Sequence, residues 1–472
     1  MSASVLLLLA ITGLVGGVTV LALRAKALFF VAFLTITVLI GLAHYYLGEE
    51  RAYWLASVVC IVVAAKFFID GFQRREPLRP LQHTTIKLVA LFLAWGTFAS
   101  LVGGISQSQA ILAIKNYFAI WMVALPVIYL ATRPTFFKNI EWALILLFAL
   151  QLPFTVLQNL TTDNWDAIVG TFGGDVEGGG ASGTLMIYTI VGALVLISWW
   201  QRRIIPFWAA AAGLALAFII IVQGEVKAFF ILMPLAIVVL LRRLFLRAPL
   251  QSGLLLLTVA FGSYWVMGVY EQTTQQKVRD RDEALLSSLE YFFDTTSVSS
   301  TTGEVSRGAS VALWYEGGGE STDRLIGYGF GASRASGTLE SGELSKKFGE
   351  ITINSTTIAQ LLWDTGIIGL MLYVSILVTG MQQAMRIARS APTRPIKVRA
   401  DLLAAILSLS FPLLIYDRSL VDGPAIHFLL AITIGMLCGL ERQAQTHRDH
   451  VSRQNRLVAG HGFPLPQASA AS

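Results

Sequence analysis

The chain has 472 residues, 55% of them apolar and only 14% charged, with a mean hydropathy of +0.65. This composition excludes a soluble multi-domain protein and a disordered one, and fits a chain that crosses a membrane many times. The net charge of +6 does not point to nucleic acid, because the basic residues sit mainly in short connections beside apolar segments, where membrane orientation accounts for them.

A spanning helix needs about 20 largely apolar residues. On that criterion the sequence predicts thirteen spans, at 4–23, 27–47, 53–70, 87–105, 111–131, 140–158, 184–200, 206–223, 228–246, 250–270, 356–380, 401–416 and 424–440. The expected fold is an all-α polytopic membrane helix bundle of about 12–14 transmembrane helices with one large, partly helical outer loop. Residues 1–270 hold ten spans, 271–355 form the loop, 356–440 add three spans and 441–472 form a polar tail expected to be disordered. The first span is read as retained, because a cleavable signal starts with a basic segment and Arg24 here follows the apolar run.

Lysine and arginine alternate from side to side. One set of connections carries Arg24 and Lys26, Arg74 to Lys87, Arg133 and Lys138, Arg202 and Arg203, Arg242 to Arg247, Arg386 to Arg399, and the tail. The short connections between them carry only Arg51, Lys227 and Arg418. The basic side is therefore expected to face the cytoplasm, with the C-terminus, and the long loop to lie opposite. The connection at Asn159 to Gly183 also falls on the outer side; Asp163, Asp166, Asp175 and Glu177 make it a flexible acidic rim, or else a sugar contact.

Cys60 and Cys438 lie inside apolar segments and suggest no disulfide framework, and the histidines show no metal-ligand spacing. No metal and no cofactor are expected. The informative charges are those that the inside bias opposes: Lys115 near the outer end of the fifth span, Lys227 at the outer start of the ninth, and Arg418 at the outer end of the twelfth. Cations at membrane depth are costly and imply a partner. Lys66, by contrast, can snorkel to the inner interface. Arg418 could pair with Asp417 and Lys227 with Glu225, as structural ion pairs. Alternatively, with Arg307 and Arg324 from the loop, these cations surround an outward cavity that holds two adjacent phosphates through charge-assisted hydrogen bonds.

The loop opens on a charged stretch, 271–283, followed by an interfacial helix predicted over 284–293. Then come Ser306-Arg307 with Trp314 downstream, Asp323-Arg324, and the run Gly327-Tyr328-Gly329-Phe330-Gly331. Asn354-Ser355 precedes a span that begins Trp363-Asp364-Thr365-Gly366-Ile367-Ile368-Gly369. The glycines permit a tight turn beside substrate or simply a loop turn. Trp314, Tyr315 and Tyr328 could stack on sugar rings or pack against the interface.

In this order and topology, these pieces resemble the O-antigen polymerase and ligase family of bacterial envelope glycosyltransferases, over roughly Gly224 to Leu370. The resemblance implies a metal-independent transferase using sugars on a polyprenyl diphosphate such as undecaprenyl diphosphate, at the periplasmic face of the inner membrane. Its implied partners are the lipid-linked oligosaccharide, the bilayer, a chain-length regulator and export machinery. Carried over by position, Arg307 and Lys227 are the diphosphate-binding pair, and Asn354 stands where the family motif has its asparagine. Family ligases place a histidine just before that asparagine, where this chain has Ile353. A mechanism consistent with these residues has a carboxylate activate the acceptor hydroxyl, with Glu225 the first candidate and Asp417 the second, unless both serve only as salt-bridge partners of Lys227 and Arg418. The leading expectation is polymerisation of lipid-linked repeat units into a surface polysaccharide or exopolysaccharide. The alternatives are a ligase with another acceptor, a flippase or transporter of the same lipid, and a non-catalytic part of an export assembly.

Overall fold

A computed structural model describes residues 23–74, 83–162, 167–174, 181–224, 226–247, 250, 294, 305–334, 341–349 and 351–460. The spans predicted at 4–23 and 250–270, the segment 271–293, Glu225, and the acids Asp163, Asp166, Asp175 and Glu177 lie outside the described residues.

The regular structure described is helical. In chain order the helices are α1 (Ala25–Leu47), α2 (Tyr53–Arg74), α3 (Thr84–Val102), α4 (Gln107–Leu130), α5 (Pro134–Thr161), α6 (Ser182–Gln201), α7 (Phe207–Gln223) and α8 (Phe229–Arg247). The loop contributes α9 (Arg307–Gly317), α10 (Ser321–Ile326) and α11 (Glu343–Phe348), and the chain returns through α12 (Thr357–Ser390), α13 (Arg394–Tyr416) and α14 (Pro424–Gly460). Among the described residues nine helices, α1 to α6 and α12 to α14, have the length and apolar content to cross a membrane, and α7 is a shorter apolar helix. The protein is a multi-pass, all-α membrane protein.

α6, α13 and α14 are the most enclosed helices. α13 packs against α12 and α8, α12 against α3, α14 against the second half of α4, and α6 against α5 and α7. Antiparallel packing sorts the charges to two ends. At the basic end Glu141 accepts hydrogen bonds from Arg202 (2.7 Å), Arg399 (3.0 Å) and Trp199 (2.9 Å). Beside it Asp401 takes Arg242 at 2.7 Å and Arg243 at 3.2 Å, and Lys66 pairs with Asp70 at 3.2 Å. Each carboxylate in this layer answers cations that would otherwise be buried unpaired. The same layer explains why α14 continues as a helix through Gly460 where the sequence suggested a disordered tail from 441. Glu441 meets His83 at 3.0 Å and Gln383 at 2.8 Å, and Gln443 donates to the Ala131 carbonyl at 2.6 Å.

The described part of the acidic connection, 167–174, is a buried, largely irregular strip. Such backbone is tolerated inside a membrane protein only when protein groups satisfy it. Gln158 Oε1 accepts from the Val169 and Gly170 amides at 3.0 and 2.7 Å, its amide nitrogen donates to the Gly170 carbonyl at 2.9 Å, and Gln151 Oε1 accepts from the Thr171 amide at 3.0 Å.

Candidate functional site at the far end of the bundle

The end opposite the basic layer is organised around the turn Tyr416 to Asp422 between α13 and α14. Pro424 starts α14 and Asp417 is the residue at which α13 stops. The Asp417 carbonyl accepts from both the amide and the hydroxyl of Thr357, each at 2.8 Å, which seats the start of α12 on the turn. Thr356 caps α12 by accepting from the Ala359 amide at 3.1 Å. Ser306 caps α9 in the same way, through the Ala309 amide at 3.2 Å, and so presents Arg307 at the first helical position.

Cations converge on this turn. The Arg307 guanidinium donates through Nε to the Tyr416 carbonyl and lies 4.7 Å from the centre of the Tyr416 ring. Arg418 lies within electrostatic reach of both Asp417 and Asp422. It is half-buried and forms no ion pair with either among the described residues. Arg334 donates to Asp422 Oδ1 at 2.9 Å, joined there by Gln360 at 3.0 Å and Asn116 at 3.5 Å. Lys115 stands 4.7 Å from the Trp54 ring centre and interacts electrostatically with Arg334 and Asp422. It rides on a π-helical turn, Ile114–Phe118, an irregularity frequent at functional sites.

Lys227 is exposed at the start of α8, on the same end. A Cβ added at Gly224 would lie 3.2 Å from the Ile168 carbonyl and 3.7 Å from Leu185, while one at Gly183 would lie 3.0 Å from Asp417 Oδ2. The start of α6 thus abuts both the Gly224 turn before Lys227 and the Asp417 carboxylate. Arg324 is elsewhere: it covers the exposed Tyr315 ring at 5.4 Å, on the loop's outer surface.

The two carboxyls of the turn differ. Burial pushes the Asp417 carboxyl up, and the Ser419 hydrogen bonds with the nearby Arg307 and Arg418 charges only partly offset it. At Asp422 burial acts in the same sense, but Arg334, Arg418 and the Gln360 hydrogen bond outweigh it and hold the carboxyl below its ordinary value. An aspartate poised upward beside one held ionised is the pattern that separates acid–base from structural roles.

The remaining sequence candidates build the loop's own core. Trp314, 8% exposed, and Ile353, 1% exposed, share an apolar cluster with Leu344, Leu362 and Trp363, and Tyr328 packs on its edge. The Tyr328 ring lies 6.1 Å from that of Trp363, and burial together with Asp323 pushes its hydroxyl up. Asn354 is buried next to this cluster, and its Nδ2 finds no acceptor among the described residues.

Gly327, Gly329 and Gly331 all adopt positive φ, and the run between them turns around Asp364. The Tyr328 amide donates to the Trp363 carbonyl and the Gly329 amide to the Asp364 carbonyl, both at 2.9 Å. Side chains are impossible at the contact point: a Cβ on Gly327 would lie 2.5 Å from the Gly366 nitrogen, and one on Gly366 2.3 Å from the Leu325 carbonyl. Gly366 itself, at φ 65° and ψ −171°, breaks α12 there.

Three residues of this end, Arg334, Asp422 and Asp364, were not singled out from the sequence. Arg334 and Asp422 read as ordinary loop charges, but Asp364 carried a signal, an acid at the head of an apolar span followed by a glycine. No family model matches the chain, and no curated protein matches it. Among the described residues no group of His, Cys, Asp or Glu is arranged to hold a metal ion.

Proposed function

We propose that the protein is a metal-independent membrane glycosyltransferase that polymerises oligosaccharide repeat units carried on a polyprenyl diphosphate. The observation that carries this reading is the convergence of Lys115, Arg307, Arg334 and Arg418 on one turn that also holds Asp417. Four cations, of which Lys115 and Arg418 lie close to the turn's carboxylates and form no ion pair with them among the described residues, suit a ligand with two adjacent phosphates.

In the reaction, the acceptor hydroxyl oxygen bonds to the anomeric carbon of the donor sugar as the bond from that carbon to the diphosphate oxygen breaks. The cations stabilise the negative charge that develops on the departing lipid diphosphate. The hydroxyl proton passes to Asp417, the base whose carboxyl is pushed toward working pH. Asp422 stays ionised and holds Arg334 in place.

In this reading the basic end lies in the cytoplasm with the C-terminus and the turn and loop lie on the periplasmic face of the inner membrane, which the charge bias of the connections supports. A chain-length regulator and export machinery would act downstream. A histidine-dependent ligase is the weaker reading, because Ile353 is a core residue of the loop and cannot accept a proton. A flippase is weaker too, since among the described residues the ion pairs gather at two ends of the bundle.

Replacement of Arg307 and Arg334 by alanine in the native host, followed by extraction of lipid-linked oligosaccharides, tests the reading. Accumulated single repeat units with loss of polymer are expected. Unchanged polymer would falsify it, and units confined to the inner leaflet would point to transport.

A further inference from the structure

We propose that Asp364 is the positioning residue of the cationic turn: its carboxylate clasps the loop's glycine run and the π-turn of α4 together, fixing where Arg334 and Lys115 stand against Asp422. The proposal rests on the diphosphate reading above and adds a residue that touches neither phosphate nor sugar.

Asp364 is fully buried, 0% exposed, two residues before the break in α12. Its Oδ2 accepts from the Tyr117 hydroxyl at 2.7 Å and the Gly331 amide at 2.9 Å, and its Oδ1 from the Ser333 amide at 3.0 Å and hydroxyl at 2.8 Å. Four donors fill the acceptor sites that an ionised carboxylate offers. A buried charge satisfied this completely fixes the backbone that supplies its donors.

Each donor leads to the site. Ser333 is followed directly by Arg334, the ion-pair partner of Asp422. Tyr117 belongs to the π-turn that carries Lys115, and its ring stacks on Phe330 of the glycine run at 4.0 Å. Gln360, one turn before Asp364 on α12, donates to the Tyr117 hydroxyl at 3.2 Å and to Asp422 Oδ1 at 3.0 Å. Asp364 and Asp422 are thus linked by two routes, through Ser333 and Arg334 and through Tyr117 and Gln360. Loss of the Asp364 charge frees both.

The test uses the purified full chain in lipid nanodiscs with undecaprenyl diphosphate as probe, and with thermal midpoints measured on the same samples. Asp364→Asn turns one acceptor oxygen into a donor facing donors, and is expected to weaken probe binding about tenfold. Arg334→Ala weakens it as well, and the double variant should bind far better than the product of the two losses predicts. Multiplicative losses would overturn the proposal and leave Asp364 a purely structural residue. Where Asp364→Asn does not fold, Ser333→Ala, which deletes one hydrogen bond to the carboxylate, and Tyr117→Phe, which deletes one to it and the one accepted from Gln360, enter the same cycle. A wild-type protein that fails to bind the probe overturns the diphosphate reading instead. The cycle read as thermal midpoints then decides the positioning role without ligand, non-additive shifts supporting it and additive shifts ending it.

Discussion

Asp417 and Asp422, five residues apart on one turn, are driven in opposite directions by their surroundings. A base works only when ionised, so the raised Asp417 carboxyl places the acid limb of the rate above the ordinary aspartate value of 3.8. The Ser419 hydrogen bonds favour the ionised form, hence Ser419→Ala should move that limb to still higher pH. A pH–rate profile of polymer formation in membranes checks both statements. A limb unmoved by Ser419→Ala would remove Asp417 from the base role.

Asp422 yields a stability prediction of the opposite sign. Its folded-state carboxyl lies below its unfolded value of 3.8, so its contribution is present above that pH and is lost as pH falls below it. Asp422→Asn should therefore melt at a lower temperature than wild type at neutral pH. The gap should narrow as the medium is acidified below about 3.8. For Asp417 the linkage reverses: its contribution is present below 3.8 and declines as pH rises through its raised value.

The bundle was legible because span length and charge alternation are dictated by the bilayer itself, and the site was legible where a residue broke one of those rules. Lys115, Lys227 and Arg418 stood out as cations that the inside bias opposes and Arg307 as an arginine of the loop; Lys115, Arg418 and Arg307 lie near one turn, and Lys227 is exposed at the start of α8. Arg334 and Asp422 break no rule, since a loop arginine and a turn aspartate are ordinary until packing joins them. Asp364 does break one, but the cost of charge at membrane depth was weighed for cations and not for this acid. The glycine run was read as a tight turn beside substrate or a plain loop turn, and the geometry gives the Gly329 and Gly331 amides to Asp364.

The glycine latch separates strain from collision. Gly104, at φ 63° with nothing within 4 Å of an added Cβ, should tolerate alanine at a cost of roughly 1–2 kcal/mol. Gly327, at φ 83° and ψ 178°, lies in a region essentially reserved for glycine and has backbone atoms at 2.5 and 2.6 Å from an added Cβ, so Gly327→Ala should cost roughly 3 kcal/mol or more. Denaturation of the two variants in detergent gives the comparison, and equal losses would mean that the run is not clamped against α12.

At the basic end, Glu141 is 3% exposed and answers both Arg202 and Arg399. Glu141→Gln leaves two guanidinium groups facing a neutral amide inside the bundle, a loss of roughly 3–5 kcal/mol by the usual cost of breaking a buried ion pair. Polymer made per folded molecule should stay at the wild-type level, because this layer lies at the far end from the turn. A drop in specific activity without a drop in the amount of folded protein would contradict the division into two ends.

Sidedness can be read with the native cysteines in place. Cys60 and Cys438 are fully buried, so neither thiol should react with a charged, membrane-impermeant maleimide. Tyr315, 68% exposed on the loop side, and Ile204, 57% exposed in the basic layer, therefore serve as single reporters. Tyr315→Cys should label in cells whose outer membrane alone has been opened, and Ile204→Cys only after the inner membrane is permeabilised as well. The reverse pattern would put the cationic turn in the cytoplasm and overturn the periplasmic assignment proposed from the charge bias of the loops.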